Sequence, residues 1–377
     1  MKLGVPNQGA AGETRVATVP DVVRRLSKKG VDVLVESGAG ARAHVPDEDF
    51  QEAGATIAPA EAVWGADVVA VVRAPSADEI GRLAGGTVVI GFLAPLTDPD
   101  TARALASAGA TSFAMEAIPR ITRAQSMDAL SSQSTVAGYR AVLLASEQLD
   151  RFFPMLTTAA GTIKPATVLV LGAGVAGLQA IATARRLGAV VTGYDVRAAV
   201  REQVESLGAR FLELDLEADA EGAGGYAKEL GEDQQRRQQE AMAEAAGKFD
   251  VVITTALVPG RPAPKLLIAK AVENMRPGSV IVDLAAVTGG NCELTEPGQT
   301  VERHDVKIIG PLDLASEMPT HASQLYARNV QSLVELMVGD EGALKLDWDD
   351  EIIAGACVTR DGEIVHEGAK QAAGAAA

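Results

Sequence analysis

The segment Gly172-Ala173-Gly174-Val175-Ala176-Gly177 restricts this chain more than any other. It follows a β-branched apolar run, Thr167 to Leu171, and opens a helix-like stretch, Val175 to Leu187. A second apolar run, Val190 to Tyr194, then leads to Asp195, eighteen residues past Gly177. Each glycine has its own physical reason. Gly172 allows a tight turn, Gly174 lets the backbone approach a ligand with no Cβ in the way, and Gly177 lets helix and strand pack closely. The start of the helix offers unpaired N–H groups and the positive end of its dipole to phosphate oxygens. The expected unit is a βαβ fold around a dinucleotide. Asp195 would accept hydrogen bonds from the adenosine ribose and repel a 2′-phosphate, which favours NAD(H) over NADP(H). Arg197 and Arg201 stand close enough to soften that preference. Ligands of doubly wound folds lie at the carboxyl ends of the strands. The run Thr254-Thr255-Ala256-Leu257, after the strand from Asp250, is therefore expected to add contacts through Ala256 and Leu257.

The same alternation of short apolar runs and helix-like segments occupies the rest of the chain. Strands are expected at Leu3 to Pro6, Val31 to Glu36, Val68 to Val72 and Thr87 to Phe92, with helices over Asp21 to Lys29 and Asp78 to Ala84. A second set adds a helix at Ala198 to Leu207 and strands at Asp250 to Thr254, Val280 to Leu284 and Val306 to Gly310. Such alternation implies parallel sheets covered on both faces. The fold expected is α/β, with two Rossmann-like doubly wound domains separated by a cleft. One lobe takes residues 1–125 and 315–377, and the nucleotide-binding lobe takes 126–314. Ser126 to Phe153 is expected to be a long helix, with Gly138 inside it, bridging the lobes. Glu217 to Gly231 is polar and Gly-rich, a length that suits a mobile functional loop. Asp233 to Lys248 has the charge pattern of a surface helix.

Composition excludes several classes. The formal charge of −16 argues against nucleic acid or anionic lipid as a direct partner, since both require a basic surface. Cys292 and Cys357 form no CxxC, and the four histidines are scattered, so neither a disulfide framework nor a metal site is expected. Ala166 to Ala184 is uncharged and long enough to be mistaken for a membrane span, but it contains three glycines and divides into a strand and a helix. The N-terminal residues lack the apolar core of a signal peptide, which points to an intracellular chain.

Pro119 to Ser134, PRITRAQSMDALSSQS, holds two arginines, Gln125, Asp128 and a series of hydroxyls, without His, Lys or Cys. Taken alone it suits a polar loop whose Ser126 or Asp128 caps the helix that follows. Taken with GETRVATVPDVVRRLSKKG, VESGAGARA, TAAGTIKPATVLVLGAGVAGLQAIATARRLGAVVTGYDVR, GGYAKELG, TTALVPGRPAPKL, NMRPGSVIVDLA and GGNCELTEPG, it resembles the NAD(H)-binding subunit of proton-translocating NAD(P) transhydrogenases, from about Met1 to about Tyr326.

That resemblance implies a homodimeric component that binds NAD(H) and sits on the cytoplasmic side. It would associate with the membrane only through partners: a proton-channel subunit and a subunit that holds NADP(H). It also implies roles for residues. Arg120, Gln125, Asp128 and Ser131, with Ile121, Thr122 and Arg123 among them, match the segment that holds the nicotinamide and its ribose. Gly225 and Tyr226 match a mobile loop that closes over nucleotide. Val175, Asp195, Val196 and Arg197 match phosphate and adenosine-ribose contacts. Hydride passes directly between two nicotinamides in this family, with specific faces of the two rings. No proton is made or used at the rings, so the residue types need only align them.

Alanine dehydrogenases share the N-terminal phrases and are the nearest rival. They use a Lys and a His where this chain has Val71-Val72-Arg73-Ala74-Pro75 and Gly91-Phe92-Leu93-Ala94-Pro95, and of their substrate-binding groups only Arg15 is present. A non-catalytic NAD-sensing module is a second alternative. It would need neither the Pro119–Ser134 segment nor the Gly225-Tyr226 loop. The stretch GPLDLASEMPT over 310–320 departs from the transhydrogenase pattern.

Overall fold

The computed structural model describes residues 1–214, 231–258 and 260–375. They form two compact units, Met1–Gln133 with Ser316–Ala377, and Ser134–Ala315. In the first unit the strands are β1 (Lys2–Val5), β2 (Asp32–Glu36), β3 (Thr56–Ala58), β4 (Val68–Ala70), β5 (Val88–Gly91) and β6 (Thr111–Ala114), all parallel and ordered 3-2-1-4-5-6. In the second unit a small antiparallel hairpin, β7 (Leu156–Thr158) and β8 (Gly161–Ile163), precedes the main sheet. That sheet comprises β9 (Thr167–Leu171), β10 (Val190–Tyr194), β11 (Arg210–Phe211), β12 (Val251–Thr254), β13 (Val280–Asp283), β14 (Thr300–Arg303) and β15 (Val306–Ile309). Its order is 11-10-9-12-13-15-14, the same winding repeated, with only β14 antiparallel. Both units are therefore Rossmann-like doubly wound α/β folds. The first sheet is completed by two late strands, β16 (Cys357–Arg360) and β17 (Glu363–Ile364), with β16 antiparallel to β6.

Both faces of each sheet are buried, and side chains alternate between two cores. Along β4, Val68 and Ala70 join one cluster, and Val69 joins the other with Val71 just beyond. Along β9, Val168 and Val170 face one core while Leu169 and Leu171 face the opposite one. This double burial explains why these strands are continuous Val, Ile and Leu runs. Each such side chain contributes about 1.5–3 kcal/mol on leaving water.

The helix expected from Ser126 to Phe153 runs over Ala129–Gln148 and contributes residues to both units. It starts later because Thr122–Met127 winds as a 3-10 turn. Asp128 then caps the helix, its Oδ1 accepting from the Ser131 N–H at 2.9 Å. Gly138 lies where a Cβ would stand 2.2 Å from the Ala176 carbonyl oxygen, so its presence lets two helices of the second unit touch by their backbones. The uncharged stretch 166–184 is strand and helix (Val175–Arg186), and among the described residues no helix is long and apolar enough to cross a membrane.

Candidate functional site

The glycine turn of the second unit joins β9 to the helix Val175–Arg186. Gly172 has φ +96°, and a Cβ on it would meet the Thr255 hydroxyl at 2.6 Å. Gly177 is tighter still, since a Cβ there would stand 1.8 Å from the Gly172 carbonyl oxygen. Gly174 is the opposite case: it is exposed, and a Cβ built on it meets nothing within 4 Å. Two of the glycines thus serve packing, and the third opens space directly in front of a helix N-terminus. A dinucleotide pyrophosphate suits that space, because the N–H groups at the helix start and its dipole both favour negative charge. Val175, the first helical residue, is 42% exposed beside it.

Thr255, which the sequence singled out only as a strand-end residue, ties this turn together. Its hydroxyl donates to the Gly172 carbonyl at 3.0 Å and lies 3.3 Å from that of Leu171. The fully buried Asn291 holds the next residue. Its Oδ1 accepts from the Ala256 N–H at 3.0 Å, and its Nδ2 donates to the Ala256 and Pro264 carbonyls at 2.8 Å each. Beneath it, buried Asp283 accepts from the hydroxyls of Thr254 and Thr295 at 2.7 Å and from the Cys292 N–H at 2.9 Å. Asn291 and Asp283 are not signalled by the sequence because each is a single polar residue in an apolar or glycine-rich context. Leu257, Val287 and Leu312, which follow β12, β13 and β15, are 41%, 61% and 56% exposed. With Val175 they give the carboxyl edge of this sheet an apolar rim, a usual lining for a cofactor site.

Asp195 sits at the end of β10 with its side chain only 5% exposed. Its carboxylate accepts from the Ala173 N–H at 2.8 Å, the Arg197 N–H at 2.9 Å and the Arg197 guanidinium at 2.8 and 2.7 Å. Burial by itself would raise its pKa. The guanidinium and the two backbone donors outweigh burial and hold the carboxyl below its ordinary value. The group therefore links the glycine turn to the second strand and stays charged. The two arginines named beside it differ: Arg197 meets Asp195, whereas Arg201 pairs with Glu213 and lies over the Phe211 ring. Val196 is half-buried between Asp195 and Arg197. Gly225 and Tyr226 lie outside the described residues.

In the first unit, Arg120, Thr122 and Gln125 are exposed and Ile121 is half-buried. Asp128 and Ser131 meet each other, with the Ser131 hydroxyl donating to Asp128 Oδ2 at 2.6 Å. Arg123 turns away to Asp350, donating through both terminal nitrogens at 2.7 and 3.0 Å. Arg15 is buried with Glu13, its guanidinium donating to both carboxylate oxygens at 2.8 and 2.9 Å and to Gln133 Oε1 at 3.0 Å. Among the described residues no three His, Cys, Asp or Glu side chains are grouped to hold a metal ion.

Comparison with known proteins agrees with this geometry. The family model described as "Alanine dehydrogenase/PNT, N-terminal domain" matches residues 4–137, and "Alanine dehydrogenase/PNT, C-terminal domain" matches 141–367. A Rhodospirillum rubrum protein, named as the first part of an NAD(P) transhydrogenase subunit alpha, is 50% identical, over 97% of this chain and 98% of its own. The Bacillus subtilis alanine dehydrogenase is 29% identical, over 97% and 93%. A solved transhydrogenase structure from Sinorhizobium meliloti superposes with a TM-score of 0.88 at 45% identity, covering 97% of this chain and all of that one. The chain belongs to the alanine dehydrogenase/PNT family, on the branch of the NAD(P) transhydrogenase alpha subunits.

Proposed function

We propose that this chain is the NAD(H)-binding component of a proton-translocating transhydrogenase. It would present NADH for direct hydride transfer to NADP⁺ held on a partner subunit. Proton translocation would belong to separate membrane subunits, with this chain reaching the membrane's cytoplasmic face only through them. The observation that carries the NAD(H) reading is the open space at Gly174, before a helix N-terminus and between packing glycines. Gly172, Gly174, Val175 and Gly177 take the pyrophosphate, while Asp195, Val196 and Arg197 take the adenosine ribose. Ala256 and Leu257 add contacts from the neighbouring strand end.

Arg120, Gln125, Asp128 and Ser131 hold the nicotinamide and its ribose. Ile121, Thr122 and Arg123 contribute from the same turn, Arg123 by its backbone because its side chain is committed to Asp350. When bound, NAD(H) supplies the hydride. NADH and NADP⁺ become NAD⁺ and NADPH, with no proton gained or lost at either ring. The residues' task is alignment: exposed amide and guanidinium groups at 125 and 120 fix a carboxamide, and Asp128 caps the helix that follows their turn. Gly225 and Tyr226 are proposed to close over the nucleotide. A homodimer is supported by the apolar side chains of Phe152, Met155 and Ile163, exposed by 52%, 63% and 50% on and beside the β7–β8 hairpin.

The alanine dehydrogenase reading is disfavoured because Val71–Pro75 and Gly91–Pro95 carry neither the Lys nor the His of that family, and Arg15 is buried against Glu13 and Gln133. The deciding experiment mixes the chain with the NADP(H)-binding component of a relative and follows reduction of thio-NADP⁺ by NADH. Transfer is expected in the mixture and not from the chain alone. Gln125→Ala should slow it about 100-fold while changing NADH affinity far less. NADH binding without any transfer in the mixture would leave a binding module and overturn the catalytic reading.

A further inference from the structure

We propose that Asn329 and Asp350 are positioning residues that hold the 120–131 segment in the shape required to orient a nicotinamide ring. This rests on the reading of that segment given above. The tie from Ser131 to Asp128 fixes the end of the segment and not the turn before it. The core of the segment, Thr122–Met127, is a 3-10 turn, whose hydrogen bonds are few and poorly aligned. Thr122 and Gln125 are exposed on that turn and Arg120 just before it, so where they stand depends on what holds the backbone.

Two anchors hold it, and both come from the late region of the chain. Asn329, on the helix Pro319–Leu336 and 7% exposed, donates from Nδ2 to the Ser126 carbonyl at 2.9 Å. Its Oδ1 accepts from the Ser132 hydroxyl at 2.7 Å. One planar amide therefore grips the chain on both sides of Asp128, a task needing a donor and an acceptor on the same group. Asp350 caps the helix Glu351–Ala356, accepting from the Ile352 N–H at 2.8 Å, and also takes both arms of Arg123. The Arg123 hydrogen bonds keep this carboxyl low, at about 2, so the fork persists at any physiological pH. Gly355 on the same short helix lies where a Cβ would come 2.7 Å from Pro119, which brings that helix against the residue preceding Arg120.

The test uses the full chain with the NADP(H)-binding component, measuring hydride-transfer rate, NADH affinity and thermal stability together. Asn329→Asp keeps the shape but loses the donor to Ser126, and the rate should fall roughly 30-fold with NADH affinity within about threefold. Asp350→Asn retains a capping oxygen but loses the ionic fork, so it remains folded. It and Arg123→Gln should each lower the rate about threefold, and the double variant should fall no further than either alone. Rate and affinity falling in parallel, or single effects that multiply, would overturn the proposal. Unchanged rates in the variants would overturn this inference alone, whereas no transfer by the unsubstituted chain would overturn the underlying reading and this inference with it.

Discussion

At the carboxyl end of β1 the first unit continues as Pro6-Asn7-Gln8, and the buried Gln8 turns across to the end of β4. It accepts from the Val72 N–H at 2.8 Å and donates to the Arg73 carbonyl at 3.0 Å. The Tyr326 hydroxyl closes on the Val71 carbonyl at 2.7 Å, and Glu116 accepts from the Leu93 and Ala94 N–H groups at 3.2 and 2.8 Å. At the matching end of β9 the second unit continues as Gly172-Ala173-Gly174 and leaves the space before Gly174 unfilled. The winding of the two sheets is the same. Side chains tie the strand ends in both units, Asp195, Thr255 and Asn291 doing so in the second; what differs is the residue after the first strand, where Gln8 crosses to the neighbouring strand in one unit and the glycine turn leaves open space in the other. Fold alone would have assigned both edges the same task.

The sharpest way to break this contrast is at Arg15. Arg15→Met leaves Glu13 buried without its counter-ion and should cost about 3–5 kcal/mol in urea unfolding. A loss below about 1 kcal/mol would mean that the first unit does not depend on this pair. Gly177→Ala comes next. Its methyl meets a backbone carbonyl that cannot retreat, so a loss of about 3 kcal/mol is expected, together with loss of NADH binding. Gly174→Ala should behave in the contrary way, because the residue has an ordinary φ of −77° and open surroundings. Stability should stay within about 0.5 kcal/mol, while NADH affinity drops about tenfold, or 1.4 kcal/mol. Unchanged affinity would remove the pyrophosphate from that position. The smallest effect concerns acid. Glu13 in one unit and Asp195 in the other are both held below their ordinary values of 4.5 and 3.8, because in each case a guanidinium and backbone donors outweigh burial. Folded-state pKa values that are depressed add stability above the unfolded values, and this is lost as pH falls through the folded ones. The melting temperature should therefore decline below about pH 4.5, and a flat profile down to about pH 3 would contradict both pairings.

The second unit was the more legible in sequence, and the reason is physical. Thr167–Leu171 and Val190–Tyr194 are strands with the boundaries their apolar runs suggest, since both faces of each are buried. β6 and β16 gave no such signal. Ser112 and Thr359 interrupt their apolar character, and they are tolerated inside because their hydroxyls pair at 2.7 Å and that of Thr359 also reaches the Ala110 carbonyl at 2.9 Å. The helix Pro319–Leu336 shows no clean apolar period although Tyr326, Val330, Leu333 and Val334 line its buried face, because Ser323, Asn329 and Gln331 are buried among them. In the candidate site, residues in glycine or polar clusters stood out. Thr255, Asn291 and Asn329 act through hydrogen bonds to residues distant in sequence, which no spacing in the chain announces. Asp195 was expected as an acceptor for a ribose, and the structure adds that it first braces the glycine turn through the Ala173 N–H.

The return of β16 to the edge of β6 has a consequence for biosynthesis. As a nascent chain leaves the ribosome, residues 134–315 emerge complete while the first sheet still lacks its closing strand, Cys357–Arg360. Until those last residues arrive, β6 is an open edge with unpaired amides and carbonyls. The unit of residues 134–315 is synthesised whole before that edge can be covered.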